Sequence, residues 1–382
     1  MGRLRDIVEM MNGDQYSYDT LLQLFERTPQ VSLAPEDRWV IFSDLHLGNG
    51  GRNDDFRANS GLFTTVLRDY YLAGRHGLIL NGDVEELQRF SIESIQRRWD
   101  EVYRLFDEFD RAGALHRLVG NHDLLLAWDP ATASHVREAL RFRYHEDEIF
   151  IFHGHQTKKA YAKPNLWIYL TLRYLANPLR IQNVSVAQDS TKQFRTERRV
   201  YRFASKQKLL TIIGHTHRPL FESMSKLDTI KFRVEQLCRV YSEASSAEKE
   251  EIEASILEYR SELERLSQRK NGTASTSSLY NADLVVPCMF NSGCVVGKHG
   301  LTCLELGDGD ITLVHWFDRG RAQKYLSYDN YEARQLADTT YYRVEIKRDS
   351  LDYIFTRINL LAGFGMRRRH RRSRHSHRAD RG

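Results

Sequence analysis

Short apolar runs that end in polar clusters recur along this chain. Five apolar, β-branched runs predict buried strands, at residues 39–43, 78–81, 115–119, 149–152 and 209–213. Helical patterns lie between the early runs, near residues 56–73 and 92–112. Later runs at residues 284–290, 301–306 and 311–317 are separated by Gly-containing turns, which are typical of antiparallel sheet. Together they predict an α/β fold, a two-sheet β-sandwich flanked by helices.

The segment 156–206 interrupts this pattern and predicts a cap-like insertion. Its apolar and aromatic residues are mixed with Lys and Arg. That composition suits either an ordinary packed helical cap or a groove for a substrate with a greasy part and a phosphate. In the second interpretation the groove residues are Lys158, Trp167, Tyr169, Arg173 and Tyr174.

A second insertion, residues 230–278, predicts a helical hairpin. Its second arm carries an apolar stripe with 4-3-4-3 spacing, at Ile252, Ile256, Tyr259, Leu263 and Leu266. Its first arm carries a similar stripe, at Ile230, Val234, Leu237 and Tyr241. A heptad stripe alone carries no chemistry, so we interpret the hairpin as a device for packing or for forming a homodimer.

The main domain is expected over residues 37–325, after an N-terminal helical extension over residues 1–36 and before a C-terminal segment over residues 326–365. Residues 366–382 form a basic tail. Residues 367–382 contain eight arginines and one aspartate, which is a net charge of +7. Because the whole chain has a net charge of +5, the other residues together have a net charge of −2. Such a tail predicts disorder, and it is either merely a solvated end or a segment attracted to an anionic membrane surface or to nucleic acid.

Composition narrows the class of protein. The hydrophobic fraction of 41% and aromatic fraction of 11% are typical of a globular protein with a core. The four cysteines form no CxxC pair, which argues against a disulfide framework or a thiolate zinc site. Charges interrupt the apolar runs at the N-terminus, unlike a signal peptide, and no stretch reaches the roughly 18 apolar residues of a spanning helix. We expect a cytoplasmic protein, with the tail favouring a peripheral membrane location.

Five polar clusters stand where apolar runs end. They are Asp44-Leu45-His46, Gly82-Asp83, Gly120-Asn121-His122-Asp123, His153-Gly154-His155 and Gly214-His215-Thr216-His217. Strand ends at one edge of an α/β sheet are where ligand sites collect, and glycines allow the tight turns that bring side chains together. Carboxylate oxygens and imidazole nitrogens without thiolate suit Mn²⁺, Fe, Zn²⁺, Co²⁺ or Mg²⁺. Each cluster alone is a weak signal, but the five together predict a metal site.

The order DxH, GDxxE, GNHD, HGH, GHTH, over residues 39–219, resembles the calcineurin-like metallophosphoesterase superfamily. The phrases DLHLG and GHTHRP are most similar to the branch of UDP-2,3-diacylglucosamine pyrophosphatases, although those enzymes carry arginine where His122 stands. The resemblance implies a β-sandwich fold and a centre of two divalent metal ions, with Mn²⁺ favoured. The residues that would hold them are Asp44, His46 and His217 for the first ion, Asn121, His153 and His215 for the second, and Asp83 as the bridge.

The same resemblance implies roles for residues beside the metal ions. His122 would contact the phosphate and protonate the leaving oxygen. For Asp123, the next residue in the chain, two interpretations stay open: it orients or polarises the His122 imidazole, or it has only a structural role. Glu86, the last position of GDxxE, is expected to support a ligand rather than bind metal. For His155 two interpretations stay open, a contact with metal or substrate and a structural role.

These implications lead to one expected activity and two alternatives. The expected activity is hydrolysis of a phosphodiester or pyrophosphate bond by attack of a metal-bridging hydroxide. A metal-dependent nuclease is an alternative that the basic tail favours. A metal-binding scaffold without turnover is the other, and the presence of both Asp83 and His122 argues against it.

Overall fold

The computed structural model describes residues 2–158, 190–221, 246–271, 286–321 and 332–362, with the single positions 230, 234, 237 and 241. The chain divides into two compact units, one of residues 1–222 with 286–382 and one of residues 223–285. Within the described residues the helices are α1 (Gly2–Arg27), α2 (Ser60–Val66), α3 (Ile92–Arg98), α4 (Asp100–Arg111), α5 (Ser190–Gln207), α6 (Ser246–Asn271) and α7 (Leu351–Leu361).

The described strands all lie in the first unit. They are β1 (Gln30–Ser32), β2 (Trp39–Phe42), β3 (Gly77–Asn81), β4 (Leu115–Leu118), β5 (Ala139–Tyr144), β6 (Asp147–Phe152), β7 (Leu210–Ile213), β8 (Met289–Asn291), β9 (Leu301–Gly307), β10 (Asp310–Asp318), β11 (Ala333–Gln335) and β12 (Tyr341–Ser350). One sheet has the order β11-β12-β10-β9-β2-β3-β4 and the other β1-β5-β6-β7-β8. Both sheets are mixed: β2, β3 and β4 run parallel, as do β6, β7 and β8.

The core follows from the period-2 alternation of the strands. In β2, Val40 and Phe42 pack with the helices α2 and α4 on one face of the larger sheet, and Ile41 points to the opposite face. There it shares a second core with β6 residues such as Ile151, so the two sheets bury their inner faces together. Phe150 on the outer face of the smaller sheet packs with α1 and α5. The predicted class, an α/β fold with two sheets flanked by helices, is confirmed at this level.

Two terminal segments contribute strands that the sequence pattern missed. The N-terminal segment, predicted as a helical extension, adds β1, which pairs in parallel with β5 at the edge of the smaller sheet. The C-terminal segment adds β12, which pairs with β10 in the larger sheet. Both segments therefore belong to the sheet architecture rather than lying outside it.

In the second unit, α6 spans the predicted second arm of the hairpin, from Ser246 to Asn271. Ile252 is buried and Leu257, off the stripe, is 62% exposed. Most of the predicted first arm and the basic tail lie outside the described residues. None of the helices in the described ranges combines the length and apolar character that a membrane-spanning helix requires.

Candidate metal centre

The five predicted polar clusters follow the carboxyl ends of β2, β3, β4, β6 and β7. Short backbone hydrogen bonds join neighbouring clusters within each sheet. The Asp44 amide donates to the Gly82 carbonyl at 3.0 Å, and the Gly214 amide donates to the His153 carbonyl at 3.0 Å. The His215 amide donates to Asp44 Oδ2 at 3.0 Å, which ties one sheet to the other. The ends of two separate parallel strand sets thus meet in one place.

Five of the seven predicted ligands have a left-handed backbone, which side chains other than glycine rarely adopt. Their φ angles are 54° at Asp44, 49° at His46, 53° at Asp83, 63° at His215 and 55° at His217. Each such residue costs on the order of 1 kcal/mol or more relative to an ordinary conformation. Strain concentrated on this set indicates that the fold holds these side chains for a purpose other than stability.

Glycine is required where the clusters touch. A Cβ built on Gly120 would lie 2.1 Å from Asp83 Oδ1, well inside van der Waals contact. Gly82 has a φ of +81°, and a Cβ there would lie 2.6 Å from His153 Nδ1. The loops can therefore approach this closely only because both positions lack a side chain.

Asp44, His46 and His217 bring three ligand atoms together. Asp44 Oδ1 lies 3.0 Å from His217 Nε2, and the two Nε2 atoms of His46 and His217 are 3.1 Å apart. Adjacent ligands of a cation with bonds of about 2.1 Å at right angles would be roughly 3 Å apart. Two of the three spacings in this triad match those of neighbouring ligands of one ion, and the third, between Asp44 Oδ1 and His46 Nε2, is 4.0 Å.

Asp83, His153 and His215 form a second group with ligand atoms within 4.8 Å of one another. Asp83 Oδ2 lies 3.0 Å from His153 Nε2. His153 Nδ1 donates to the Asn81 carbonyl at 2.7 Å, which leaves Nε2 as the nitrogen that faces the carboxylates. Asp83 also groups with His46 and His122, so its carboxylate connects the second group to His46 of the first.

Three buried polar atoms in this centre, Asp44 Oδ1, Asn121 Oδ1 and His153 Nε2, have no partner in hydrogen-bond geometry among the described residues, although His217 Nε2 and Asp83 Oδ2 lie 3.0 Å from the first and the last of them. Nearly all buried polar atoms in proteins are paired, so such a cluster requires an explanation. Oxygen and imidazole-nitrogen donors are those that divalent cations bind. These buried His and Asp groups can therefore hold metal ions, and the donor set fits them chemically.

The buried carboxylates of the centre also favour a positive charge beside them, as the pKa values of the histidines indicate. Burial alone would lower the pKa of His153, but the carboxylates of Asp83 and Asp44 outweigh it and raise that pKa to about 9. The pKa of His217 is raised for the same reason by Asp44. A proton on these imidazoles does part of what a cation would do, because it offsets two fully buried carboxylates.

Glu86 supports two imidazoles at once. Its Oε2 lies 3.1 Å from His46 Nδ1 and its Oε1 lies 2.9 Å from His122 Nδ1. This places Glu86 behind a predicted ligand, as expected. In the described contacts the imidazole of His122 is oriented by Glu86, a role that the sequence had left open for Asp123.

Asp123 has a different set of partners. Its two oxygens accept the amide of Gly120 at 2.6 Å and the amide of Val84 at 2.7 Å. Burial, and then the charges of Asp83 and Glu85, raise its pKa to about 7. Asp123 thus joins the loops that follow β3 and β4, and it positions the backbone on both sides of Asp83.

Of the remaining predicted residues, His155 is buried with its ring centre 5.6 Å from that of His153. Burial, and then the charge of His153, lower its pKa to about 3, so its imidazole is neutral. Lys158 is half-buried. The aromatic groove residues Trp167, Tyr169 and Tyr174, with Arg173, lie outside the described residues.

A sixth strand end, after β8, was missed. Asn291 Nδ2 donates to the Gly214 carbonyl at 3.0 Å and to Thr216 Oγ1 at 2.8 Å, which steadies the loop of His215 and His217. The Ser292 hydroxyl lies 2.8 Å from that of Ser43, beside Asp44. The signal was present in the sequence, since Asn-Ser-Gly follows an apolar run as the other clusters do.

No family model matches this chain, and no curated protein matches it either. The assignment of an activity therefore depends on the centre itself.

Proposed function

We propose that this protein is a hydrolase of phosphodiester or pyrophosphate bonds that depends on two divalent metal ions, with Mn²⁺ as the first choice. The observation that carries the proposal is the pair of triads, Asp44-His46-His217 and Asp83-His153-His215. They are connected because Asp83 of the second also groups with His46 of the first. A single structural metal ion would need only one such group. Two adjacent groups around one carboxylate are what hydrolysis of a phosphate ester with paired cations requires.

In this proposal the residues divide into three sets. Asp44, His46 and His217 would hold one ion, Asn121, His153 and His215 would hold the other, and Asp83 would serve both. When bound, the ions supply Lewis acidity for the phosphoryl oxygens and lower the pKa of bound water toward neutrality. The chain itself orients the donors: Asn81 fixes the ring of His153, and Glu86 fixes the ring of His46.

His122 is the proposed general acid. Its Nδ1 is held by Glu86, and its Nε2 lies 4.0 Å from Asp83 Oδ2, so the free nitrogen points into the centre. Burial would lower its pKa, but Glu86 and Asp83 outweigh burial and raise it to about 9. The side chain is 19% exposed whereas His153 is fully buried, so His122 stands at the open side, where it can pass a proton to a leaving oxygen.

The test is hydrolysis of bis-p-nitrophenyl phosphate and p-nitrophenyl phosphate, side by side, with added Mn²⁺. Metal content is measured on the same samples. Asp83→Asn is expected to lower diester turnover by roughly 1,000-fold or more, because the amide removes the shared anionic ligand. His122→Gln should keep its metal and lose roughly 100-fold to 10,000-fold in kcat. Asp100→Asn, an exposed position on α4, is the matched control and should behave as wild type.

One outcome would contradict the proposal. If two ions bind and neither the small esters nor a plasmid is cleaved, the centre is a scaffold without turnover. If a plasmid is nicked with Mn²⁺ while both small esters are untouched, the phosphodiester that the protein hydrolyses is that of a nucleic acid, and the protein is a nuclease.

A further inference from the structure

Three arginines on α5 share one carboxylate on α1. Arg198 Nη2 lies 3.0 Å from Asp14 Oδ2, and Arg199 Nε lies 3.1 Å from Asp14 Oδ1. The guanidinium of Arg202 also contacts Asp14 Oδ2. We refer to Arg198, Arg199 and Arg202 as the arginine cluster.

Among the described residues, the arginine cluster has more positive charge than its contacts neutralise. Its side chains are 10%, 18% and 49% exposed in chain order, and that of Asp14 is 17% exposed, so two of the three charges and their single counter-charge are largely withdrawn from water. Arg198 Nε is buried without a hydrogen-bond partner. Burying charge that is not fully paired is costly, so a cluster serving only stability would be expected to contain more carboxylates.

Glu197, the nearest acidic residue of α5, does not neutralise the excess positive charge of the arginine cluster. Glu197 is fully buried and accepts hydrogen bonds from Thr216 Oγ1 at 3.0 Å and from Arg218 Nε at 3.1 Å. Its carboxylate is therefore used by the loop that carries His215 and His217. Within the described part of the chain, Asp14 is the one acidic group that the arginine cluster contacts.

The arginine cluster adjoins the metal centre through one short turn. Arg199 Nη1 donates to the Thr157 carbonyl at 3.1 Å, and Thr157 ends the turn that begins just after His153 and Gly154. The turn that follows His153 therefore joins the metal centre to the arginine cluster of α5.

We propose that the arginine cluster binds a phosphate group of the substrate other than the one attacked at the metal centre. Asp14 occupies the position of this anion when no substrate is present. The inference rests on the proposed function and narrows it to substrates with a second phosphate. Guanidinium groups suit this task because their planar N–H donors match pairs of phosphate oxygens. The competing interpretation is a salt-bridge clamp that only joins α1 to α5.

Binding of inorganic phosphate to the full-length, Mn²⁺-loaded protein separates these interpretations. Equilibrium dialysis at low ionic strength should find two phosphate ions per chain in the wild type. Arg199→Gln and Arg202→Gln should weaken one of them by about tenfold, since each removes a charge-assisted hydrogen bond. Asp14→Asn should tighten the same one, because it removes the internal competitor. Arg104→Gln, an exposed arginine on α4 that pairs with Asp100, is the matched control and should change neither.

If the cluster is only a clamp, Asp14→Asn should not tighten phosphate binding, and it should lower the stability of the protein. That result, or equal phosphate binding in wild type and Arg202→Gln, overturns the proposal. Arg202 is half exposed, so its replacement is the variant that should fold in any case. Asp83→Asn distinguishes the two proposals, because it should lose the phosphate at the metal centre and keep the arginine-dependent one. Arginine-dependent binding in a protein that cleaves neither ester supports this site and contradicts only the proposed function.

Discussion

Replacing Gly120 by alanine should disable the metal centre through a single methyl group. The added Cβ would lie 2.1 Å from Asp83 Oδ1 and 2.4 Å from the Asp83 amide nitrogen. Because non-bonded contacts to Cβ are essentially never shorter than 3.0 Å, Asp83 must retreat by roughly 1 Å. Metal sites accept deviations of about 0.2 Å in ligand distance, so the bridging carboxylate would be lost as a ligand.

The expected cost has two separable parts. Overpacking should lower the free energy of unfolding by about 1–3 kcal/mol. Loss of a ligand should lower metal affinity by at least roughly 100-fold, more than the 10-fold to 100-fold typical of residues that merely support a ligand. A displacement of this size should also cost about 100-fold in turnover even when metal is in excess.

Gly113→Ala provides a control that is destabilised without touching the centre. Gly113 has a φ of +66° and nothing within 4 Å of a built Cβ, so its replacement carries only the backbone penalty of about 1 kcal/mol. It precedes β4, at the end of that strand opposite to Asn121. Isothermal titration calorimetry with Mn²⁺ compares the metal affinities of the two variants. Wild-type affinity for both ions in Gly120→Ala would refute the reasoning, whatever its stability.

Two further predictions concern a support residue and acid stability. Glu86→Gln should weaken Mn²⁺ binding by about 10–100-fold in the same titration, because the single oxygen of an amide cannot accept hydrogen bonds from both His46 and His122. The control is Glu101→Gln on α4, which should leave the Mn²⁺ affinity unchanged. An unchanged affinity in Glu86→Gln would contradict the prediction. His315 is 6% exposed, and burial lowers its pKa from 6.5 to about 4, so the unfolded chain takes up the proton first as the pH falls. As the pH falls from 6.5 to 4, the free energy of unfolding should therefore decrease by up to about 3 kcal/mol because of this group. Urea denaturation at pH 7 and at about pH 4.5 measures this decrease, which should be smaller in His315→Gln than in the wild type.

The strands that carry the metal centre were predictable because their signals are local. A buried strand needs a continuous apolar run, and the run at 149–152 stands beside the polar cluster of His153 in the sequence itself. The observed β6 begins two residues earlier and ends at the same Phe152. Strand β12 lacks such a signal. Its sequence YYRVEIKRDS is largely polar, and pairing with β10 rather than an apolar run defines it as a strand.

Partners within the centre were less predictable than its members. Asp123 is adjacent to His122 in the sequence and was a candidate to orient it for that reason, yet its carboxylate turns to the amides of Gly120 and Val84. Glu86, separated from His122 by 36 positions, is the residue that contacts its imidazole. Neighbours along the chain at a tight turn point in different directions, so adjacency in sequence is a poor guide to side-chain contact.

The sequence by itself determined which residue types stand at which strand ends, and hence that carboxylates and imidazoles would collect at one edge. This was possible because apolar runs and the polar clusters that follow them are written contiguously in the chain. Only the tertiary structure decided that the ends of β2, β3 and β4 meet those of β6 and β7, and that Asp83 connects two triads. It alone brought Asp14 of α1 against Arg198 of α5, 184 positions away. Such contacts depend on the packing of two sheets and their flanking helices, and no local pattern encodes the distance between atoms on separate elements.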